Sequence, residues 1–491
     1  MVTLEDDIKT PYQYFERRYG NRKYVRAITA TFGMVFYFSF LTLYLWGCAN
    51  LLTTLIPQCP LWVSSLILGI YSIVGSTIGG FTQSTKTNLF QFVVVVTGLV
   101  SAIVFTINKY SDSMNLSDIY YFELLNKRTE FFNLNVDLTT RYTILNQVIS
   151  LSQPWTCVHS LLLPNFIRYR SHIKGSHLKK RFTVISNFPC MVLINALVLL
   201  SGGIIMYLFF YGCDPILNKK FENKNQVGLY WLYLILSENA PSFTGILFSS
   251  IMCYSLVQHS MGMALCANTI YGEILQPMFL ERFRLSEHKT KIIKICITIF
   301  IGKISILYSI SFQFVKNTAL AMFFMFNNST NSPILGLYFL SAFNPYANHV
   351  GAMSAFVLNL SINYFWGLGA LNIFSNTKSQ EFPQTTLLCN RTDLSTNLTY
   401  AYIELQKLES MSISNSSSTV NYYPTNPVLY FMFRIAPIWY CLFSVLFNLI
   451  FGSLFSFIYS LIKTRSLDAD SEYSEIRKNY LFYKLRKHYC S

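Results

Sequence analysis

Across 491 residues, the side chains able to do chemistry stand singly inside long apolar runs. Lys303 falls in the middle of the run 291–315, where an ammonium without a partner is costly. It either pairs with helix carbonyls or binds an anionic solute. Gln153-Pro154-Trp155 interrupts the run 142–163. The proline removes one backbone donor there and disfavours helix at the residue before it. His259, in the run 243–267, is either a packed imidazole or a ligand. The polar stretch Asn327-Asn-Ser-Thr-Asn-Ser332 before Pro333 either lines a pocket or hydrates a bend. The sequence offers no nucleophile elbow, Gly-rich phosphate loop or paired-carboxylate site, and the apolar runs hold almost no Asp or Glu. Its 11 cysteines include no CxxC pair and no Cys/His cluster with metal spacing. The chain is therefore read as neither an enzyme nor a proton pump, with no organic cofactor or bound transition metal.

The elements that must position these side chains follow from composition. Of all residues 52% are hydrophobic and only 12% charged. That is half the charge of a soluble domain, about 25%, so most of the chain sits where charge is costly. A bilayer core needs about 20 apolar residues in helix. Ten stretches qualify, at 27–56, 61–81, 89–107, 142–163, 183–210, 243–267, 291–315, 319–341, 350–373 and 428–462. The fold class is an all-α polytopic membrane protein, with the lipid bilayer as its first partner.

Orientation follows from Lys and Arg, because positive loops stay cytoplasmic. They concentrate before the first span (Lys9, Arg17, Arg18, Arg22, Lys23, Arg26), from Arg168 to Arg181, from Arg282 to Lys294, and in the tail after Leu461. The alternate loops 109–141, 212–240 and 374–427 carry few. Both termini are expected in the cytoplasm, and the net charge of +15 is a topology signal with no nucleic acid behind it. The expected organisation is a cytoplasmic segment 1–26, core helices 27–373, an extracellular loop 374–427, a last span 428–462 and a cytoplasmic tail 463–491.

Four sequons, at Asn115, Asn390, Asn397 and Asn415, fall in the expected outside loops and are candidate glycosylation sites. Those at Asn328 and Asn359 lie inside helices and are expected to stay bare. Cys213 and Cys389 are both expected outside, where they either form a disulfide or remain two free thiols.

Several short stretches carry a family resemblance. Pro11-Tyr-Gln-Tyr-Phe-Glu-Arg-Arg-Tyr19 is similar to the AYEYLELRF segment that precedes the third core helix of the sodium–solute symporters. Ile78-Gly-Gly-Phe-Thr-Gln-Ser-Thr-Lys-Thr-Asn-Leu-Phe-Gln91 resembles their GG-x-x-A-V-x-x-T-D-x-x-Q loop. Pro164-Asn-Phe-Ile-Arg-Tyr-Arg170 corresponds to NQ-x-x-x-QR, and Asn344-Pro-Tyr-Ala-Asn-His-Val-Gly-Ala352 resembles FPCANPPGA. Their order and spacing match the multivitamin, monocarboxylate and iodide branch. The resemblance implies a LeuT-type core of two inverted five-helix repeats. Solute and ions sit near the midplane, where discontinuous helices offer free carbonyls and N–H groups. It also implies a plasma-membrane location.

On that resemblance, Gln153 and Trp155 in a helix broken at Pro154 line the solute pocket, together with Tyr37 and Gln258. Ser255, Gln258 and Ser260 fall on the Ser/Thr-rich run that completes the family's sodium site. Val257-Gln258 stands in place of a central Ser-Thr pair, and Asn88 in place of an Asp. The opening motif places residue 1 just before the third core helix. An outer leading helix and core helices one and two therefore lie outside this sequence. Either the sequence is incomplete at its start or the chain is a shortened paralogue. Two functions follow from this. One is a secondary transporter coupling a small organic anion, of vitamin or monocarboxylate type, to sodium. The other is a non-transporting relative with a binding or regulatory role. The helices outside the sequence and the hydroxyl lost at Val257 lead to the expectation that this chain, as written, does not perform tightly sodium-coupled uptake.

Overall fold

The computed structural model describes residues 10–56, 58–79, 84–111, 138–139, 224–280, 285–314, 319–376, 427–435 and 439–463, and elements are numbered along them. Every regular element among them is helical. Thr10 opens α1 (Pro11–Arg18), its side chain accepting from the Gln13 N–H at 3.4 Å. Pro11 sits in the first turn, where its missing donor costs nothing. Gly20 (φ 77°) and Asn21 (φ 57°) then reverse the chain through the left-handed region, which these two residue types enter most cheaply.

The turn leads into α2 (Lys23–Leu55), followed by α3 (Leu61–Gly79) and α4 (Ser84–Ser111). Further along come α5 (Lys224–Asn239), α6 (Pro241–Thr269) and α7 (Glu287–Ser311). A π-helical stretch, Ile270–Leu280, continues α6. The remaining elements are α8 (Ala319–Phe343), α9 (His349–Asn376), α10 (Pro427–Arg434) and α11 (Tyr440–Lys463). Five helices are long and apolar enough to cross a membrane: Lys23–Leu55, Leu61–Ile78, Phe90–Asn108, Glu287–Ser311 and Tyr440–Ile462. Helices α6, α8 and α9 match them in length at 29, 25 and 28 residues, and α6 and α8 carry more buried polar side chains.

Two packed groups result. Helices α2, α3, α6 and α7 pack on one another, so residues 27–56 lie against residues 243–267 as expected. Helices α4 and α5 cover the α6 end of this group through Ala102, Trp231, Ile235, Leu236 and Leu247. The second group is α8, α9 and α11, and α2 joins the two by packing on α8. Two features differ from the expected spans. The region 428–462 holds two helices, α10 and α11, and α5 lies in the expected outside loop 212–240. The expected helices at 142–163 and 183–210 lie outside the described residues.

Two of the motifs singled out above, Pro11–Tyr19 and Asn344–Ala352, meet at the joint between the groups. Tyr14, Phe15 and Tyr19 are buried against Tyr338 and Leu340 of α8 and Phe356 of α9. Arg18 is fully buried. Its Nε donates to the Ser341 carbonyl at 3.0 Å and its Nη2 to the Asn344 carbonyl at 2.7 Å. A cation therefore sits at the C-terminus of α8, where unpaired carbonyls and the helix dipole favour it. The Tyr19 hydroxyl shares a hydrogen bond with Ser341 Oγ at 2.8 Å, and burial pushes its phenol pKa upward. In the second motif, Asn348 Oδ1 caps α9 by accepting from the Gly351 N–H at 2.8 Å, while Asn348 Nδ2 donates to the Ser456 carbonyl of α11. A Cβ on Gly351 would strike Ser456, so only glycine lets α11 approach there.

Each hydrogen bond to a charged group contributes about 1.5–3 kcal/mol. Arg18→Ala, which strands two buried carbonyls, is therefore expected to cost about 3–5 kcal/mol. Tyr19→Phe, which loses one neutral bond, is expected to cost about 1 kcal/mol. Thermal unfolding of the detergent-solubilised chain checks the order: a melting temperature for Arg18→Ala as high as for Tyr19→Phe would contradict it.

Candidate solute and cation site

Helix α6 carries most of the described candidates, and its neighbours decide which way each one points. Proline in its first turn starts the helix at Pro241. Small residues then let other helices close on it. A Cβ on Gly302 of α7 would strike Ile73 of α3 and stand 3.0 Å from the Met263 sulfur of α6. A Cβ on Gly262 of α6 would strike Leu41 of α2 and stand 3.3 Å from the Tyr37 hydroxyl. Lipid tails are as apolar as leucine, so such close approach, through van der Waals contact, holds the helices together.

At 100° per residue, Ser255, Gln258 and Gly262 share one flank of α6. Tyr37 stands on the α2 side of that flank, one turn from Gln258, and both side chains are buried at 8% exposure. Ser260 lies on the opposite flank, where its Oγ donates to the Ser72 carbonyl of α3 at 3.0 Å. His259 turns toward α7, with Nε2 2.6 Å from Ser305 Oγ, and is fully buried. It is a packed imidazole tying two helices. Among the described residues Gln258 makes no side-chain hydrogen bond, so its amide oxygen is uncommitted. The structure thus sets Ser255 and Gln258 on the flank of α6 that Tyr37 approaches at Gly262, and commits Ser260 elsewhere.

The remaining candidates separate cleanly. Lys303 is exposed on α7 beside Phe300 and Leu307, away from the α6 flank, and pairs with no described carbonyl. Asn328 to Ser332 are buried inside α8: Ser329 Oγ donates to the Asn363 carbonyl at 3.1 Å, and Thr330 Oγ1 meets the Tyr364 hydroxyl at 2.7 Å. That stretch lines an interhelical seam. Asn359 is likewise buried, so neither sequon inside a helix is presented to solvent. Gln153, Trp155, Asn115, Asn390, Asn397, Asn415, Cys213 and Cys389 lie outside the described residues.

One constellation was missed from sequence. Arg26 of α2 gathers Glu273 at 2.6 Å, Glu16 at 3.0 Å and the Gly272 carbonyl at 2.9 Å, tying α1 and the π-helical stretch to α2. The only hint was an arginine and two glutamates near the ends of apolar runs, 10 and 247 residues apart. In chemical terms the α6 flank offers a hydroxyl and an amide oxygen, neutral hard donors that suit an alkali cation or a polar solute. Among the described residues no three His, Cys, Asp or Glu side chains gather as a metal site.

Comparison with known proteins bears on the family and the fold. The family model described as the sodium:solute symporter family matches residues 5–358. Sodium-coupled monocarboxylate transporter 1 of Homo sapiens is 25% identical over 80% of the chain and 62% of its own length. The sodium/iodide cotransporter of Homo sapiens is 21% identical over 74% of the chain and 54% of its own length. The chain thus spans between about half and three fifths of these relatives. A Na+-coupled sialic acid symporter, solved substrate-bound and outward-open, superposes with a TM-score of 0.60 at 13% identity. It covers 91% of the chain and 77% of that structure. The shared fold is the LeuT type.

Overpacking a tight helix contact costs about 1–3 kcal/mol. Gly262→Ala is expected to lower the melting temperature and displace Tyr37. Gly47→Ala, on the same bundle but with nothing within 4 Å of its Cβ, is expected to leave stability unchanged or slightly raised. Equal melting temperatures for the two variants would show that α2 and α6 do not meet at Gly262.

Proposed function

The chain belongs to the sodium:solute symporter family, and on that premise we propose that it carries a small organic anion, of monocarboxylate or vitamin type, across the plasma membrane with sodium. The observation that carries the reading is the α6 flank. Gln258 is buried, uncommitted, one turn from Ser255 and on the flank that Tyr37 approaches at Gly262. It is 8% exposed, yet its amide makes no hydrogen bond to a described residue and so is free to meet a cation or solute. Ser255 and the Gln258 oxygen contribute to the sodium site, and Tyr37 and the Gln258 amide face the solute, with Gln153 and Trp155 completing the pocket. Val257 supplies no oxygen, so sodium is held more weakly than by a full hydroxyl run.

Uptake of radiolabelled lactate, biotin or pantothenate, by cells expressing the chain with sodium or choline outside, tests the reading. Saturable uptake that falls on sodium removal is expected. Gln258→Leu and Ser255→Ala are expected to cut it at least tenfold at equal surface expression, a loss of about 1.4 kcal/mol or more. Ser260→Ala, which gives up only a bond to α3, is expected to retain it. Absence of saturable uptake at normal surface expression would favour a non-transporting, binding or regulatory role.

We further propose that both termini are cytoplasmic and that Asn115, Asn390, Asn397 and Asn415 bear glycans in outside loops. Glycosidase treatment is expected to shift gel mobility, and Asn→Gln at these four positions to abolish the shift. A shift that survives all four changes would reverse the topology.

A further inference from the structure

The seam between α8, α9 and α11 contains three asparagines, Asn359, Asn363 and Asn448, each with no exposed surface. Their amide nitrogens are committed. Asn359 Nδ2 donates to the Ser444 carbonyl at 3.0 Å. Asn363 Nδ2 donates to Asn359 Oδ1 at 2.7 Å and to Ser444 Oγ at 2.9 Å. Asn448 Nδ2 donates to the Pro333 carbonyl at 2.9 Å. Pro333 O and Asn359 Oδ1 can only accept, so neither Asn448 nor Asn363 can flip its amide without setting oxygen against oxygen. The consequence is that Asn363 Oδ1 and Asn448 Oδ1 are buried with no donor, and Ser332 of α8 lies beside the Cys441 thiol. A Cβ on Gly336 would stand 2.5 Å from the Ser444 carbonyl and 2.6 Å from Asn448 Nδ2, so the backbones already touch.

We propose that this seam is a binding site for buried water, which donates to Asn363 Oδ1 and Asn448 Oδ1. Each orphaned carbonyl oxygen is costly in a setting with no bulk water to satisfy it. Buried waters make about three hydrogen bonds each to such groups. Water fits the seam better than a cation does. Helices α8, α9 and α11 contain no Asp or Glu, and the two orphaned amide oxygens are fewer ligands than a dehydrated cation takes. Water brings the missing donors without charge. The site is separate from the α6 flank and does not depend on the transport reading.

The test uses the full chain in lipid nanodiscs, exposed to an X-ray pulse in 18O-labelled water. Hydroxyl radicals formed at a bound water oxidise the nearest thiol. Cys441 is 1% exposed and touches Ser332 of the seam, whereas Cys48 and Cys266, at 1% and 3%, lie in core clusters of the other helix group and serve as controls. Several-fold faster oxidation of Cys441 than of both controls is expected, and equal rates would overturn the proposal. A map of the same sample is expected to show density within hydrogen-bond distance of Asn363 Oδ1 that is identical in sodium and choline. Density present only in sodium would replace water by a cation, and a dry seam with ordered side chains would overturn the proposal outright.

Discussion

One guanidinium, alongside the packing of α2 on α8, ties the two helix groups together. Arg18 is buried without a carboxylate partner among the described residues, and its charge is met by the terminal carbonyls of α8 and the Tyr19 ring, 5.2 Å away. Placing a charge there is tolerable only because the end of a helix is already negative and short of donors. The geometry then propagates. Arg18 fixes the turn at Gly20, the turn fixes where α2 starts, and α2 carries Tyr37 to the level of Gly262. In the other direction it fixes the end of α8, from which Asn344 and Asn348 launch α9 against α11.

The two groups solve the same problem differently. Inside a bilayer, burial of apolar surface does not drive helices together, so contact must come from close packing or hydrogen bonds. The α2–α3–α6–α7 group relies on packing, with Ile73 and Leu41 filling notches over Gly302 and Gly262. Its polar ties are short and few, such as Ser65 to Ser309 at 3.2 Å and His259 to Ser305. The α8–α9–α11 group relies on asparagines, whose donors feed carbonyls of neighbouring helices. Pro333 belongs to this arrangement: its carbonyl receives the Asn448 amide, so the proline sits inside α8 with its acceptor satisfied by another helix.

Much of this was legible in the sequence because burial in lipid demands long apolar runs and little else mimics them. Helices α2, α3, α6, α7 and α9 match the expected spans to within a few residues. The α5 helix was missed because its 16 residues include Lys224 and Glu238 and fall short of a span. At the candidate site, residue identity was legible and direction was not. Ser255 and Ser260 look equivalent as hydroxyls in one apolar run. Only the approach of α3, open at Gly75, whose Cβ would stand 3.5 Å from Ser260 Oγ, diverts the second of them to Ser72. The asparagine seam was hidden for a similar reason. Each of Asn359, Asn363 and Asn448 reads as an isolated polar residue, and their partnership exists only once α9 and α11 lie side by side.

The commitments of α6 bear on what its free flank can do. Ser260 and Leu256 face α3, His259 and Met263 face α7, and Gly262 faces α2, so three sides of the helix are braced. Packed interiors switch between discrete arrangements and do not deform continuously. Rotating α6 enough to turn Gln258 away would break the His259–Ser305 and Ser260–Ser72 bonds together and drive Leu41 off Gly262. The flank bearing Ser255 and Gln258 is therefore a fixed wall. A polar ligand that met this flank, as proposed above, would find the Gln258 oxygen already placed.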